Sequence, residues 1–194
     1  MSALSQRKYV SPENYLTMER QSLEKHEYFD GEVFLMAGAS DEHNTIAVNT
    51  VSELHQQLKK RPCKVYQSDM RVHIPKTGLF TYPDVIVVCG KPQFFPDATL
   101  DTLTNPVLIV EILSASTEGY DKGAKFDNYR SLESLREYVL VSQEAKKVIR
   151  YTKQTNGSWV LMDFIGDKTE IELSSIECIL TIEDIYDKVE FEIE

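Results

Sequence analysis

Two short apolar runs that each carry a carboxylate constrain this chain most strongly. One run covers Val85–Val88 and the other covers Val107–Leu113. Unbroken apolar runs of this length are typical of strands that are covered on both faces. Asp84 directly precedes the first run, and Glu111 lies inside the second. Because a buried carboxylate without a cation nearby costs free energy, Glu111 requires a positively charged partner.

The partner of Glu111 is either a metal ion or a basic side chain. Mg²⁺ binds carboxylate oxygens and keeps several of its waters, and the ends of strands hold such ligands rigidly. Asp84 and Glu111 together therefore indicate a divalent-metal site. In the alternative interpretation, Glu111 is a structural residue whose charge is neutralised by Arg71 or Arg130.

The remaining pattern predicts an α/β fold with a mixed central sheet flanked by helices. A serine cap followed by proline predicts a helix over residues 11–25. Asp30-Gly31 predicts the tight turn of a hairpin over residues 26–38. Residues 90–105 have the composition of a long surface loop. Further strands are expected over residues 63–67, 70–75, 85–88, 107–113, 136–142, 146–154 and 158–166, with a helix over residues 118–132 and a short helix in the acidic tail.

A second helix is expected to begin near Asp41 and to end before Pro62. Its apolar residues recur at helical spacing, so one face is expected to pack against the sheet. That face comprises Ile46, Val48, Val51, Leu54 and Leu58.

Length and composition are those of an ordinary soluble protein and predict one domain over residues 1–194. The chain has 42% hydrophobic and 27% charged residues. No apolar run in it approaches the ~20 residues that span a bilayer. The first residues lack the apolar segment of a signal peptide, so a cytoplasmic location without membrane contact is expected.

Cys63, Cys89 and Cys178 have no spacing typical of a zinc site or a disulfide framework, and are expected to be small buried apolar residues.

The net charge of −10 argues against a surface built for nonspecific binding of nucleic acid. The charge is uneven, however, because the segment from Lys122 to Lys153 contains eight basic and four acidic residues. This local excess is compatible with contacts to a few phosphates. It is equally compatible with a solvated helix face followed by an edge strand whose lysines oppose aggregation.

Several enzyme classes lack their sequence motifs here. No GxxxxGK[ST] or GxGxxG segment is present, which argues against a P-loop or dinucleotide-binding enzyme. Ser114, Ser116 and Thr117 could suggest a nucleophile, but no GxSxG elbow surrounds them. Their position predicts instead a cap for the helix that follows.

Three parts of the sequence, taken in order, resemble one family of nucleases. They are Tyr82–Val85, Ile109–Thr117, and the helix positions Asp121, Lys125 and Tyr129. Their order, with Glu111 following Asp84 by 27 residues, is similar to that of the Uma-type endonuclease family. This family is part of the PD-(D/E)XK, restriction-endonuclease-like superfamily. The resemblance extends over nearly all the chain, from the hairpin at residues 27–38 to the strand at Trp159.

The resemblance implies a restriction-endonuclease-like core in which Asp84 and Glu111 bind a divalent metal. The superfamily motif places a lysine two residues after the second acid, where this chain has Leu113. In the family, the lysine is attributed to the following helix, where Lys125 is the matching residue. Lys125 would then polarise the attacking water or stabilise charge in the transition state.

Four further residues are candidates for the same cleft. Asp121 and Tyr129 share a helix face with Lys125, although spacing alone would also fit a surface ion pair beside a packed tyrosine. Glu32 matches a family position and is either a further metal ligand or an exposed hairpin residue. His43 matches a second family position. It is either a cleft residue or a side chain at the helix start that hydrogen-bonds the backbone.

The sequence and the resemblance together predict a Mg²⁺-dependent endodeoxyribonuclease, a hydrolase of phosphodiester bonds whose expected substrate is DNA. Mn²⁺ is expected to substitute for Mg²⁺. A homodimer is expected because members of the superfamily commonly cut two strands. The predicted fold is the restriction-endonuclease-like α/β core with N-terminal helices and extra C-terminal strands. The alternative is a nuclease-fold binding or scaffold module without catalysis, which the leucine in place of the motif lysine leaves open.

Overall fold

Three β-sheets form the framework of the computed structural model, which describes residues 9–167 and 169–191. The helices are α1 (Pro12–Glu19), α2 (Asp41–Leu58), α3 (Glu118–Tyr120), α4 (Phe126–Tyr129) and α5 (Ile182–Ile185), and a π-helical turn (Asp121–Lys125) joins α3 to α4. The strands are β1 (His26–Phe29), β2 (Glu32–Leu35), β3 (Cys63–Gln67), β4 (Arg71–Ile74), β5 (Leu79–Thr81), β6 (Val85–Cys89), β7 (Thr102–Leu103), β8 (Leu108–Leu113), β9 (Glu137–Ser142), β10 (Lys147–Lys153), β11 (Trp159–Ile165), β12 (Glu170–Leu173) and β13 (Cys178–Thr181).

A six-stranded mixed sheet carries both apolar runs. Its strand order is β11-β10-β9-β8-β6-β3; β8 and β9 are parallel, and the other neighbours are antiparallel. Every residue of β8 is buried, as are the first four residues of β6. The two runs are therefore strands covered on both faces, and the predicted α/β architecture with a mixed sheet is confirmed.

A second sheet of five strands, which the sequence pattern does not predict, packs against the first. Its order is β2-β1-β5-β4-β7. The hairpin of β1 and β2 forms as predicted, with positive φ angles at Asp30 and Gly31. In contrast, β7 has only two residues, lies in the predicted surface loop and pairs with β4, about thirty positions earlier. Local periodicity does not report such a distant pairing.

The six-stranded sheet is covered by a separate hydrophobic core on each face. The first core lies under α2, α5 and the two-stranded sheet of β12 and β13. The second core lies between the two larger sheets and the helical segment that follows β8. Side chains alternate along β8, so Val110 and Ile112 join the first core, and Ile109 and Leu113 join the second. Glu111 shares the parity of Ile109 and Leu113 and therefore points to the side of the second core.

The first helix ends earlier than the predicted Lys25. It stops at Glu19, whose carboxylate is buried. Glu19 Oε1 accepts the His26 backbone N–H at 2.9 Å, and Oε2 lies 2.9 Å from His26 Nδ1. These contacts draw the chain into β1 instead of extending the helix.

The second helix has the predicted bounds, and most of its predicted apolar face is correct. Ile46, Leu54 and Leu58 are buried in the first core, and Val51 packs against that core. Val48 is 67% exposed, because it falls outside the stripe that faces the sheet. No helix in the two described ranges is long and apolar enough to cross a bilayer.

Cys63 and Cys89 form a disulfide, which corrects the prediction that all three cysteines are unpaired. Strands β3 and β6 are antiparallel neighbours, and their register places Cys63 opposite Cys89. The pairing follows from strand register, so the spacing of the cysteines in the sequence gave no signal. Cys178 is free and buried, as predicted.

His73 on β4 makes stability sensitive to acid. Its ring stacks on Phe80 at a centroid distance of 4.1 Å and meets Phe95 edge-on at 4.9 Å. Burial lowers the pKa of His73 to about 4, below its value in an unfolded chain. The unfolded state therefore binds more protons between these two pKa values, and stability falls as the pH drops through that window.

Between pH 7 and pH 4.5 we expect the free energy of unfolding of the wild type to fall by on the order of 2 kcal/mol because of His73, allowing for partial solvent screening. His73→Phe should not show this fall. Urea unfolding followed by circular dichroism at both pH values measures it. His55→Gln, at an exposed position of α2, is the control and should keep the wild-type acid sensitivity. Equal acid sensitivity in all three proteins would contradict the assignment.

Candidate active site

Asp84 and Glu111 lie on neighbouring antiparallel strands. Val85 on β6 pairs with Val110 on β8, and continuing this register by one residue places Asp84 opposite Glu111. Asp84 Oδ2 accepts the backbone N–H of Ile112 at 2.8 Å, which fixes its carboxylate against β8. The strands that sequence analysis singled out therefore bring both acids to the same place.

Glu111 is buried, and a lysine supplies the positive charge that it requires. Lys125 Nζ lies 2.9 Å from Glu111 Oε1, and the Tyr129 hydroxyl donates to the same oxygen at 2.7 Å. Glu111 is 4% exposed and Lys125 is 6% exposed, so both charges are withdrawn from water. The two arginines proposed as partners have other contacts, since Arg71 and Arg130 pair with Asp101 and Asp127.

Lys125 lies among three carboxylates from three parts of the chain. Besides Glu111, its ammonium is 3.3 Å from Asp121 Oδ1 and 3.4 Å from Glu27 Oε1. Asp121 is also buried, which excludes the surface ion pair that spacing alone would have allowed. Asp121, Lys125 and Tyr129 thus face the same cluster, as the helix pattern predicts.

A π-helical turn at Asp121–Lys125 positions this lysine. The turn interrupts the predicted helix at Gly123, the residue least suited to a regular α-helix. One extra residue per turn shifts the side chains that follow, and such turns are frequent at functional sites. Tyr138 on β9 anchors the turn by donating its hydroxyl to the Asp121 carbonyl at 3.1 Å.

Sequence reasoning did not identify Glu27 as a member of this cluster. Glu27 lies on β1, its carboxylate is largely buried, and it accepts a hydrogen bond from Thr81 at the end of β5. The family resemblance indicates Glu32 as the acid that the hairpin contributes, and Glu32 lies on β2 opposite Phe29. The acid within reach of Lys125 is Glu27. Strand alternation alone leaves both acids on one face of the hairpin, so only the packing distinguishes them.

His43 contacts Asp84 and not the backbone that the simpler interpretation favoured. Its Nε2 lies 3.2 Å from Asp84 Oδ1. Ser40 caps α2 by accepting the His43 backbone N–H at 3.2 Å, which leaves the imidazole free to turn towards the site. His43 Nδ1 is buried without a hydrogen-bond partner among the residues that the structure describes. The histidine therefore supports one oxygen of Asp84, and Ile112 supports the other.

Burial and neighbouring charges shift the pKa values of the ionisable groups in the cluster. Burial raises the pKa of Glu111, Lys125 opposes this rise, and the charges of Asp84 and Asp121 add to it. Burial likewise raises the pKa of Asp84, against the effect of the Ile112 hydrogen bond. Burial alone would lower the pKa of Lys125, but the surrounding acids hold it well above its ordinary value. Lys125 therefore stays protonated.

The donor set fits a hard divalent cation. Glu27, Glu111 and Asp121 surround one ammonium, and Asp84 lies opposite Glu111. A second positive charge would oppose the burial and repulsion that raise the pKa values of Asp84 and Glu111. Lys125 and Tyr129 both contact Oε1 of Glu111, so neither of them occupies Oε2. Within residues 9–167 and 169–191, no group of three or more His, Cys, Asp or Glu side chains is arranged to hold a metal ion. Two carboxylates suffice for Mg²⁺, which keeps its remaining positions for water and phosphate.

The fold is that of a known nuclease-like structure. It matches the crystal structure of a protein described as a putative nuclease belonging to DUF820, from Anabaena variabilis, with a TM-score of 0.71. The match covers 91% of this chain and 97% of that one at 17% sequence identity. At that identity the likeness establishes the fold alone.

The chain belongs to the Uma2 family, whose description is "Putative restriction endonuclease" and whose sequence profile matches residues 12–183. The resemblance inferred from the motifs is thereby confirmed. Two uncharacterized proteins of Synechocystis sp., sll1609 and slr1290, are each 36% identical, over 174 and 177 residues. The alignments cover 90% and 91% of this chain and 98% and 91% of the relatives. Family membership supports a nuclease function.

We expect Lys125→Met to lower the free energy of unfolding by about 3–5 kcal/mol, because it leaves buried carboxylates without their cation. Urea unfolding at pH 7 in the absence of divalent metal measures the loss. Adding Glu111→Gln to Lys125→Met should recover part of it, since one of the stranded charges is then removed.

Lys122→Met is the matched control for this change. Lys122 precedes Lys125 by one turn but pairs with the exposed Glu118, so its removal should cost less than about 1 kcal/mol. Equal losses for the two lysine variants would show that Lys125 does not neutralise a buried charge.

Proposed function

We propose that this chain is a divalent-metal-dependent endonuclease that hydrolyses phosphodiester bonds of nucleic acid, with DNA as the substrate. The observation that carries the proposal is the meeting of Asp84, Glu111 and Lys125 at the second-core side of two buried strands. Two acids and a protonated lysine are the groups that metal-assisted phosphodiester hydrolysis requires. Family membership independently supports the same reaction class.

Asp84 and Glu111 are the residues that would hold Mg²⁺, with Mn²⁺ as a substitute. When bound, the cation neutralises charge on the phosphate and lowers the pKa of a bound water. The Ile112 N–H and His43 orient Asp84, and the Tyr129 hydroxyl orients Glu111. Such fixed orientation lowers the reorganisation needed during the reaction.

Lys125 acts as a fixed positive charge and not as a base. The acids around it keep its pKa well above the ordinary value, so it holds its proton at neutral pH. A protonated lysine beside the acids can stabilise the negative charge that develops on the phosphate oxygens. Glu27 and Asp121 keep the ammonium within 3.4 Å of both carboxylates and thereby position it.

The leucine at the motif position is compatible with this role. Leu113 lies two residues after Glu111, so it shares that face of β8, and it is buried in the second core together with Tyr129. The helical segment that covers this face brings Lys125 to Glu111 from above the strand. An ammonium therefore reaches the same acid from a different part of the backbone.

The homodimer expected from the resemblance has a candidate surface at the edge strand β11. Val160, Leu161, Met162 and Ile165 are each about half exposed or more, and they lie on both faces of the strand. Edge strands of this kind invite pairing unless charges or prolines protect them. Antiparallel pairing with β11 of a second copy would extend the six-stranded sheet and cover both faces.

We expect Asp84→Asn, Glu111→Gln and Lys125→Gln each to lower the cleavage rate by at least about a hundred-fold, because each removes a group that acts on the reacting phosphate. The assay incubates the protein with plasmid DNA, single-stranded circular DNA and RNA in Mg²⁺ or Mn²⁺, with EDTA as the blank. Circular dichroism verifies that each variant is folded.

Asp127→Asn is the matched control, since Asp127 is an exposed acid on the same helical segment and should retain full activity. Cleavage that survives all three site substitutions would overturn the site assignment. If no form cleaves any substrate while wild-type protein still binds nucleic acid specifically, the catalytically inactive binding module replaces the nuclease proposal.

Leu161→Lys is expected to convert a dimer into a monomer, because it places charges inside the apolar strand pairing. Light scattering coupled to size-exclusion chromatography measures the mass. Leu100→Lys, at an exposed position in a loop, is the control and should leave the dimer intact. A monomeric wild-type protein would contradict the dimer.

A further inference from the structure

Three exposed aromatic rings lie beside the acid cluster. Phe29 is 39% exposed, Phe34 is 47% exposed and Tyr120 is 41% exposed. None of the three belongs to a hydrophobic core formed by the described residues. Single exposed apolar side chains are ordinary on protein surfaces. Three aromatic rings on the elements that carry one charged site are not explained in that way.

The hairpin places two of these rings on the face that holds Glu27. The register of β1 and β2 pairs Glu27 with Phe34 directly across the hairpin. Cross-strand partners point to the same face, and so do residues two apart on one strand. Phe34 and Phe29 therefore share the side from which Glu27 reaches Lys125. Leu35, the next residue of β2, points to the opposite face and is 61% exposed.

Tyr120 brings the third ring from the other side of the cluster. It directly precedes the π-helical turn, and Lys125 Nζ lies 5.8 Å from the centroid of its ring. Partial burial and the nearby charge of Glu27 raise the pKa of the Tyr120 hydroxyl to about 12. The ring is therefore neutral, close to both the ammonium and the hairpin acid, and still open to solvent.

Because the site is acidic, binding of a nucleic acid there requires a favourable interaction other than attraction of its phosphates. Glu27, Glu111 and Asp121 surround a single ammonium, Asp84 adds a fourth acid beside Glu111, and the whole chain carries a net charge of −10. Such a surface repels a polyanion until a metal ion binds. Stacking of bases on aromatic rings is a favourable interaction that needs no positive charge.

We propose that Phe29, Phe34 and Tyr120 form a base-stacking subsite for unpaired nucleotides next to the scissile phosphate. The inference rests on the proposed nuclease function and specifies its substrate class. In a duplex the bases are paired and stacked on one another, so their faces are not available to protein side chains. The substrate is therefore a single strand, or a duplex that is melted locally at the site of cleavage.

Equilibrium binding to labelled oligonucleotides tests the subsite. Fluorescence anisotropy is measured for a single strand, a blunt duplex and an abasic strand of equal length, in Ca²⁺ to limit cleavage. We expect wild-type protein to bind the single strand at least about ten-fold more tightly than either of the other two, the size of one to two stacked bases. Phe34→Leu and Tyr120→Leu should each lose about ten-fold on the single strand and change little on the abasic strand.

Leu35→Ala is the matched control, because it removes exposed apolar surface from the opposite face of the same strand. It should bind all three ligands as the wild type does. Equal affinity of wild type and ring variants for the single strand would overturn the subsite, and so would tighter binding to the duplex. Cleavage by the wild type is scored separately, so base-dependent binding without cleavage would refute the nuclease and leave the subsite standing.

Discussion

The ion pair between Lys125 and Glu111 is the interaction on which the rest of the site depends. A glutamate in a strand buried on both faces cannot remain charged without a cation beside it. Lys125 supplies that charge from the helical segment, and Tyr129 adds a hydrogen bond to the same oxygen. Glu27 brings the hairpin to the same ammonium. A strand, a helical segment and a hairpin are thus held together at one nitrogen.

The position of Lys125 brings a positive charge to Glu111, although the residue two positions after Glu111 is Leu113. Leu113 and Glu111 share one face of β8, and the space beside them is filled by the second core. Leucine at that position contributes to packing, and the charge arrives from the segment that covers the strand. The π-helical turn at Asp121–Lys125 is part of this arrangement, because it sets the direction in which the lysine projects. Charge and packing are thereby supplied by different elements.

The excess of acids over bases connects the structure to the proposed chemistry. The raised pKa values of Glu111 and Asp84 reflect burial that one lysine does not fully compensate. A divalent cation would supply the missing charge and bring a phosphate with it. The same hairpin that contributes Glu27 carries exposed rings on that face. Metal, phosphate and base contacts could therefore be served by elements that already meet at Lys125.

The sequence by itself determined the elements whose signal is local. Apolar runs, a serine cap and an Asp-Gly turn are properties of adjacent residues, so β6, β8, α2 and the first hairpin were predicted correctly. The sequence also marked Asp84 and Glu111, because a charge at the edge of or within an apolar run is visible without a structure. Lys125 came from the family resemblance, which its helical spacing alone would not have justified.

Only the tertiary structure decided which distant residues meet. The second sheet, the Cys63–Cys89 disulfide and the contact of Glu27 with Lys125 all follow from strand register and packing between elements. These pairings join positions tens of residues apart, and hydrophobic periodicity carries no information at that range. The sequence therefore marks Asp84 and Glu111. Lys125 and Glu27 reach them only in the folded chain, because contacts between distant elements leave no local pattern in the sequence.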